Sequence, residues 1–353
     1  MSIRILEATD RADWTSFVKS HPQGHFMQSW EWAELKGTQG WEPYFFAVEN
    51  AGRIVGGTLV QKKRLPVLGK SILYSPRGPL LAADAQLSLA ELVAEVGRFA
   101  SGNGAIFWRV DPYLSPDEAG TTFSDTGFVP VPREWSYWNA PKYLMHLPLD
   151  GTVEELFSRM GSTARNETRQ AAKSGVTVDY GTTDDLDDFF ALMIRTAEKK
   201  KIPHHDIVYY RTLYETLGKS GMVQLFLARR EGKTGSAGIS LRFGSTAWLM
   251  YLASDYSVKH SNRALQWEMV KWAVESGCTR YDFRGTACNY PPRESDPGYG
   301  VYKFKKSFGA DTAIMAGYFD AVFSPAWYRM FRFAEEKVLP RAMGIVAAVR
   351  RRF

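Results

Sequence analysis

Three lysines, Lys303, Lys305 and Lys306, stand among Tyr302, Phe304 and Phe308 in the stretch GVYKFKKSFG, residues 300–309. A charged lysine can stabilise an oxyanion, whereas a lysine acting as a base must be neutral and therefore buried. On a helix, Val301, Phe304 and Phe308 share one face, with Lys303 and Lys306 roughly opposite. Lys305 then lies at the edge of the apolar face, apart from the other two. On a strand, Lys303 and Lys305 would share a side and no lysine would be singled out. A second basic feature, Arg165, Arg169 and Lys173, recurs at i, i+4 and i+8 and forms one helical stripe, either a binding face or a solvated one.

Much familiar chemistry is missing. The chain has no GxxxxGK[ST], GxGxxG or HExxH, and GSTAR (161–165) is not a nucleophile elbow. The six histidines lack metal-ligand spacing, and Cys278 and Cys288 form no CxxC, so neither a metal site nor a disulfide framework is expected. A transferase built from these residues needs a donor that is already activated, which the protein positions and stabilises electrostatically.

The 353 residues suffice for two cores. Hydrophobic residues make up 45%, which places the chain among globular proteins rather than disordered ones. Lys plus Arg exceed Asp plus Glu by 44 − 38 = 6, an excess that suits RNA, a nucleotide sugar or an anionic membrane. No run approaches 18 apolar residues, and the opening MSIRILEATDRADW lacks a signal core, so a cytoplasmic protein is expected.

The chain also repeats itself. FFAVENAGRIVGGTLVQ (45–61) and LFLARREGKTGSAGISLR (225–242) both read strand, glycine turn, strand, with Ala47 and Ala228 each ten residues before Gly57 and Gly238. A helix and a strand follow in both copies, at 89–112 and 264–285, with Gly104 and Gly277 ending the helices. The element order resembles the GNAT acyltransferase fold, so the expected architecture is mixed α/β with two tandem GNAT-like domains. The expected boundaries are 1–148 with 318–353 for the first domain and 149–317 for the second. The tail, with Arg329, Arg332, Arg341 and Arg350–Arg352 and a break at Pro340, is read as docking on the first domain or resting on an anionic membrane. The stretches LLAADAQLS and SVKHSNRAL, where an acyl-CoA user carries a glycine-rich turn, contain no glycine, which argues against acyl-CoA as donor.

FMQSWEWAELKGTQGWEP (26–43), SPRGPL (75–80), RNETRQAAKSGVTV (165–178), ALQWEMVKWAVESGCTRYDFRG (264–285) and GYGVYKFKKSFG (298–309) together resemble the Fem family of peptidoglycan aminoacyltransferases. The resemblance implies an aminoacyl-tRNA donor and an acceptor that is UDP-MurNAc-pentapeptide or lipid II. The stem-peptide amine attacks the aminoacyl ester, with no metal or organic cofactor. It also implies that Lys36, in the motif Gln28–Trp32–Lys36, binds an acceptor phosphate, with Arg211 as second phosphate ligand and Tyr214 beside it. Tyr251 and Tyr256 become candidate stem-peptide contacts, and Phe304 with Lys305 mark the transfer site, Lys305 as oxyanion stabiliser. No heptad run occurs, so the chain resembles the compact type without a coiled-coil arm, and the Arg165–Arg169–Lys173 stripe becomes a candidate tRNA contact. Contact with the inner membrane face would suit a lipid-linked acceptor. The rival functions are aminoacyl transfer to a protein N-terminus or lipid, and a non-catalytic RNA- or membrane-binding protein.

Overall fold

The structure, a computed structural model, describes residues 1–66, 69–82, 89–132, 141–286 and 288–338. The chain forms two compact units, Met1–Lys142 with the segment from Ile314 onward, and Tyr143–Ala313. In the first unit the chain runs β1 (Ser2–Ile5), α1 (Arg11–Ser20), α2 (Trp30–Gly37), β2 (Glu42–Asn50), β3 (Arg53–Arg64), β4 (Ser71–Pro76), β5 (Leu80–Leu81), α3 (Leu89–Gly102), β6 (Ala105–Asp111), α4 (Pro116–Thr122) and β7 (Phe128–Val131). The second runs β8 (Tyr143–Pro148), α5 (Val153–Arg159), α6 (Ser162–Lys173), β9 (Thr177–Gly181), α7 (Leu186–Lys200), α8 (Ile207–Gly218), β10 (Val223–Arg230), β11 (Lys233–Phe243), β12 (Thr246–Ser254), α9 (Ser261–Glu275), β13 (Arg280–Gly285), α10 (Tyr299–Lys306) and β14 (Asp311–Ile314). The chain then returns to the first unit with β15 (Tyr318–Val322) and α11 (Pro325–Phe333).

Two mixed α/β units of matching design result. The sheet orders are β1-β2-β3-β4-β6-β15-β7 and, read from the corresponding edge, β9-β10-β11-β12-β13-β8-β14. Each contains an antiparallel hairpin followed by a parallel pair, β4 with β6 and β12 with β13, whose connection carries a helix. The hairpin turns are Ala51–Gly52 and Glu231–Gly232, all four residues at positive φ, which suits the twist of a tight hairpin. Each hairpin has a bulge just before its turn, at Val48/Glu49 and at Ala228/Arg229. Val48 therefore corresponds to Ala228, and the expected equivalence of Ala47 with Ala228 is out of register by one residue.

The expected boundary after residue 148 moves to 142 because β8 pairs with β13, Asp282 facing His146. The equivalent place beside β6 is filled by β15, which comes from the far end of the chain. The first unit thus receives an inner strand from beyond its first segment, whereas the second is continuous from Tyr143 to Ala313. The second unit opens on two helices after β8, α5 beginning with a Thr152–Glu155 capping box and α6 following extended Met160.

In the first unit Leu89, Leu92, Val96 and Ala100 of α3 pack on Phe46, Val60, Leu73 and Trp108. In the second, α9 places Leu265, Met269, Val270 and Ala273 over Phe226, Ala247 and Tyr281. Tail residues Trp327, Tyr328 and Phe331 of α11 pack on Ile72, Ile106 and Phe107, so this part of the tail docks on the first unit. The expectations for Pro340, Arg341 and Arg350–Arg352 fall outside the described residues.

Fully buried Arg109 on β6 fixes the returning segment. Its Nε and Nη2 donate to Asp320 at 2.8 Å each, and Nη1 donates to Glu335 at 2.6 Å. Tyr328 also donates to Asp320, and Arg332 to Glu335. Removing the cation strands two buried carboxylates. We expect Arg109→Leu to cost about 3–5 kcal/mol, read as a drop in the denaturant midpoint of the full chain. An unchanged midpoint refutes this anchoring role.

Candidate active site

In the second unit the parallel partners β12 and β13 share only three pairs, ending at Trp248 with Asp282. In the first, β4 and β6 stay paired through Pro76 with Asp111. The early split in the second unit leaves Tyr251 on β12 and Arg284 on β13 beyond the last pair, at strand ends where open α/β sheets bind ligands.

Lys305 reaches this split. Helix α10 opens on Gly298 at φ 80°, and its inward side carries Tyr302 and Lys305, with Phe308 just beyond its end. Val301 is exposed, so the face is centred one step away from the expected Val301–Phe304–Phe308 line. Lys305 is buried, not at an edge, whereas Lys303 and Lys306 are exposed. Its Nζ donates to the carbonyls of Gly285 at 2.6 Å and Arg284 at 3.3 Å. An ammonium has three donors, so one N–H remains without a partner among the described residues. Burial lowers its pKa to about 8; Asp282 opposes that shift and Arg284 adds to it. Two carbonyl acceptors favour the charged form, so the geometry suits a cation better than a base.

Phe304 packs on Phe308, their ring centres 5.2 Å apart, at the border of a pocket. Arg263 of α9 lies 4.3 Å over its ring, and Phe304 lines a pocket of about 340 Å³ with Glu167, Tyr256, Lys259, His260 and Arg263. The pocket brings Phe304 and Tyr256 together but does not include Lys305. It sits at the start of α9, where an acyl-CoA user would hold its pyrophosphate. Here Glu167 occupies that place, 2.7 Å from Arg263 and 3.8 Å from His260. A carboxylate facing a glycine-free turn does not fit a pyrophosphate.

Tyr251 donates to Tyr209 at 3.1 Å within an aromatic group that includes His205 and Tyr210. Burial pushes both hydroxyls up in pKa, and the Arg284 charge opposes this. Tyr256 is exposed at φ 61°, with the Lys199 ammonium 4.7 Å from its ring centre. Tyr214 points to β9 and donates to Gly181 O at 2.8 Å. Arg211 is exposed on α8 and paired with Asp187 at 2.9 Å. The basic stripe is divided: Arg165 donates to the Ser158 and Met160 carbonyls at the end of α5, Arg169 lies 5.1 Å from the Phe157 ring, and Lys173 is exposed.

Gln28 does not share the helix of Trp32 and Lys36, although its spacing of four and eight from them would fit one. It lies in a 3-10 turn, Phe26–Gln28, and α2 begins after the Ser29 cap. Buried Gln28 bridges Pro76 O at 2.5 Å and Leu59 N at 2.7 Å. Trp32 is buried, and Lys36 Nζ lies 4.9 Å over its ring while donating to Gln39 Oε1 at 2.8 Å. Lys63 donates to the Gln39 carbonyl at 2.5 Å. Burial, then the Lys63 charge, lowers the Lys36 pKa to about 8. Neither lysine has a carboxylate partner among the described residues, an arrangement suited to an anion.

A FemAB family model matches residues 9–124, and a GNAT acetyltransferase domain model matches residues 158–305. The chain is therefore similar to FemAB-family proteins over residues 9–124. It is 26% identical to a lipid II:glycine glycyltransferase of Staphylococcus aureus (strain USA300) over 403 positions, covering 92% of this chain and 94% of that protein. A protein of the same name from Staphylococcus haemolyticus is 25% identical over 401 positions, at 92% and 94%. The longer alignment exceeds the 353-residue chain by 403 − 353 = 50 positions, so the Staphylococcus aureus protein carries insertions relative to this one. No helix among the described residues exceeds 15 residues, in keeping with a compact member lacking a coiled-coil arm. A solved FemX structure overlays with a TM-score of 0.86 at 23% identity, covering 94% of this chain and all of FemX. A tandem GNAT protein of clavulanic acid biosynthesis overlays at 0.56 with 12% identity, covering 92% and 99%. The chain is thus a transferase of acyltransferase type with two GNAT-like units.

Arg284, Asp282, His146 and Tyr209 were missed in the sequence. The available signal was DFRG, two opposite charges entering a strand that reads as core. Removing the Lys63 charge should raise the Lys36 pKa from about 8 toward the usual lysine range. Lys63→Gln followed by NMR titration of labelled lysine checks this, and an unmoved midpoint refutes the coupling.

Proposed function

We propose that this enzyme transfers an amino acid from aminoacyl-tRNA to the stem-peptide amine of a peptidoglycan precursor, with lipid II as the favoured acceptor. The Lys305 ammonium carries the reading: it is buried at the strand split, held by two carbonyls, with one N–H left for a developing oxyanion. The names of the Staphylococcus relatives favour the lipid-linked acceptor. The lack of a pyrophosphate cradle favours a donor other than acyl-CoA.

The amine nitrogen bonds to the ester carbonyl carbon, and the carbonyl electron pair moves onto oxygen beside Lys305. Collapse breaks the bond to the ribose oxygen, which leaves as a hydroxyl with the proton the amine gives up. Stabilising the oxyanion is worth about 3 kcal/mol, roughly a hundredfold in rate. Lys36 of the first unit is taken to bind acceptor phosphate; Arg211 of the second is a separate phosphate-binding candidate, which must exchange Asp187 for it. Tyr251 and Tyr256 border the stem-peptide path, and Arg165, Arg169 and Lys173 contribute to holding the tRNA. With a membrane-bound acceptor, the enzyme works at the inner membrane face. No helix among the described residues is long and apolar enough to cross a membrane.

Purified enzyme with radiolabelled glycyl-, alanyl- or seryl-tRNA and lipid II, or the UDP-linked precursor, is expected to yield an RNase-sensitive extended peptide. No product with any of these pairs refutes the reading. Lys305→Ala is expected to lower kcat about a hundredfold with little change in acceptor KM. Lys36→Ala is expected to raise acceptor KM roughly tenfold at nearly constant kcat. Full turnover by Lys305→Ala removes that residue from the mechanism.

A further inference from the structure

The backbone that grips Lys305 is irregular. Between the pairs Asp282–His146 and Gly285–Leu144, β13 advances three residues while β8 advances two, so one residue bulges out. Arg284 occupies the bulge at φ 60°, a left-handed conformation rare for a long side chain. Its N–H donates to Asp282 Oδ1 at 2.5 Å, and its guanidinium reaches Met250 Sδ at 3.0 Å. The other Asp282 oxygen lies 3.5 Å from His146 Nε2. The carbonyls that receive Lys305, those of Arg284 and Gly285, belong to this same bulge.

A carboxamide could hold the turn equally well by accepting the Arg284 N–H. A carboxylate with 2% exposure is costly to bury unless nearby cations balance it. Burial alone would raise its pKa, yet His146 and the Arg284 N–H keep it well below the usual range. Asp282 also acts electrostatically on Lys305. The other elements nearby add little net charge of their own. Lys303 and Lys306 of α10 are exposed, Arg263 of α9 is paired with Glu167 of α6, and α8 and β12 present Tyr209 and Tyr251.

We propose that Asp282, steered by His146, is a positioning residue for Lys305: it shapes the bulge whose carbonyls hold the lysine and supplies the counter-charge for its ammonium. Arg284 acts in the opposite sense, as the neighbouring cation. The proposal rests on Lys305 being the transfer-site lysine, and its test separates the two claims.

Full-length enzyme labelled with [6-13C]lysine gives the Lys305 titration directly, the resonance being assigned by its loss in Lys305→Ala. The wild-type midpoint is expected at about 8. Asp282→Asn is expected to lower it and Arg284→Gly, which suits the left-handed position, to raise it. The falling limb of the transfer rate with pH should move with each midpoint. His146→Ala should lower the rate, and His146→Gln, which keeps a donor toward Asp282, should restore most of it. An unchanged midpoint in Asp282→Asn, or a rate reduced equally at every pH, overturns the proposal. If Asp282→Asn does not fold, an unmoved midpoint in Arg284→Gly overturns it instead. Full turnover by Lys305→Ala would sink the transfer-site reading while leaving the titration result standing.

Discussion

The parting of β12 from β13 after Trp248 and Asp282 is the constraint on which the second unit depends. A sheet that opens stops supplying hydrogen-bond partners, and a buried carbonyl without a donor is expensive. Beyond the split, the Arg284 and Gly285 carbonyls instead accept from Lys305. The opening leaves Tyr251 and Arg284 beyond the last pair, and the group that satisfies its wall is a buried cation of the kind the proposed transfer calls for. Structural and chemical demands fall on one side chain, which accounts for a buried lysine at the end of a helix otherwise anchored by Tyr302 and Phe308.

The first unit has the same strand order without that opening. Pairing of β4 with β6 continues to Asp111, whose carboxylate accepts from the Arg77 N–H at 2.8 Å and the Tyr74 hydroxyl at 3.1 Å. Arg77 Nε lies 3.6 Å from the same carboxylate. There the strand end is closed by an internal charge pair, and the unit's unbalanced cations, Lys36 and Lys63, lie instead around Gln39. Duplication of a fold has therefore not duplicated a site. The copy whose strands separate buries a lysine at the opening, and the copy whose strands stay paired closes its end with a charge pair.

The repeat was legible in the sequence because hairpin turns leave a local mark. Ala51–Gly52 and Glu231–Gly232 need residues that accept positive φ, and alternating apolar residues flank both. The bulges before those turns leave no such mark, and the equivalence drawn from Ala47 and Ala228 slipped by one residue. The distant pairing was equally hidden: the boundary was placed after residue 148, and nothing local says that YLMHLP pairs with β13, more than a hundred residues later. Lys305 was separable from Lys303 and Lys306 by helical period alone. The period underestimated its burial because the apolar face centres on Tyr302 and Phe308 rather than on Val301. Gln28 misled for a related reason: spacing of four and eight fits a helix, while the Ser29 cap breaks it.

What no periodicity carries is the ionisation of a lysine. A solvated lysine would stay charged far above neutral pH and could not serve as a base, whereas one buried among apolar groups would give up its proton readily. Lys305 lies between these limits. Burial brings it to about 8, carbonyl acceptors favour its proton, and the charges of Asp282 and Arg284 pull in opposite directions. Near neutral pH such a group is charged yet poorly hydrated, so its field acts at nearly full strength on a neighbouring oxyanion. A more exposed lysine would be screened, and one further desolvated would be neutral. The bulge at Arg284 holds the side chain between the two.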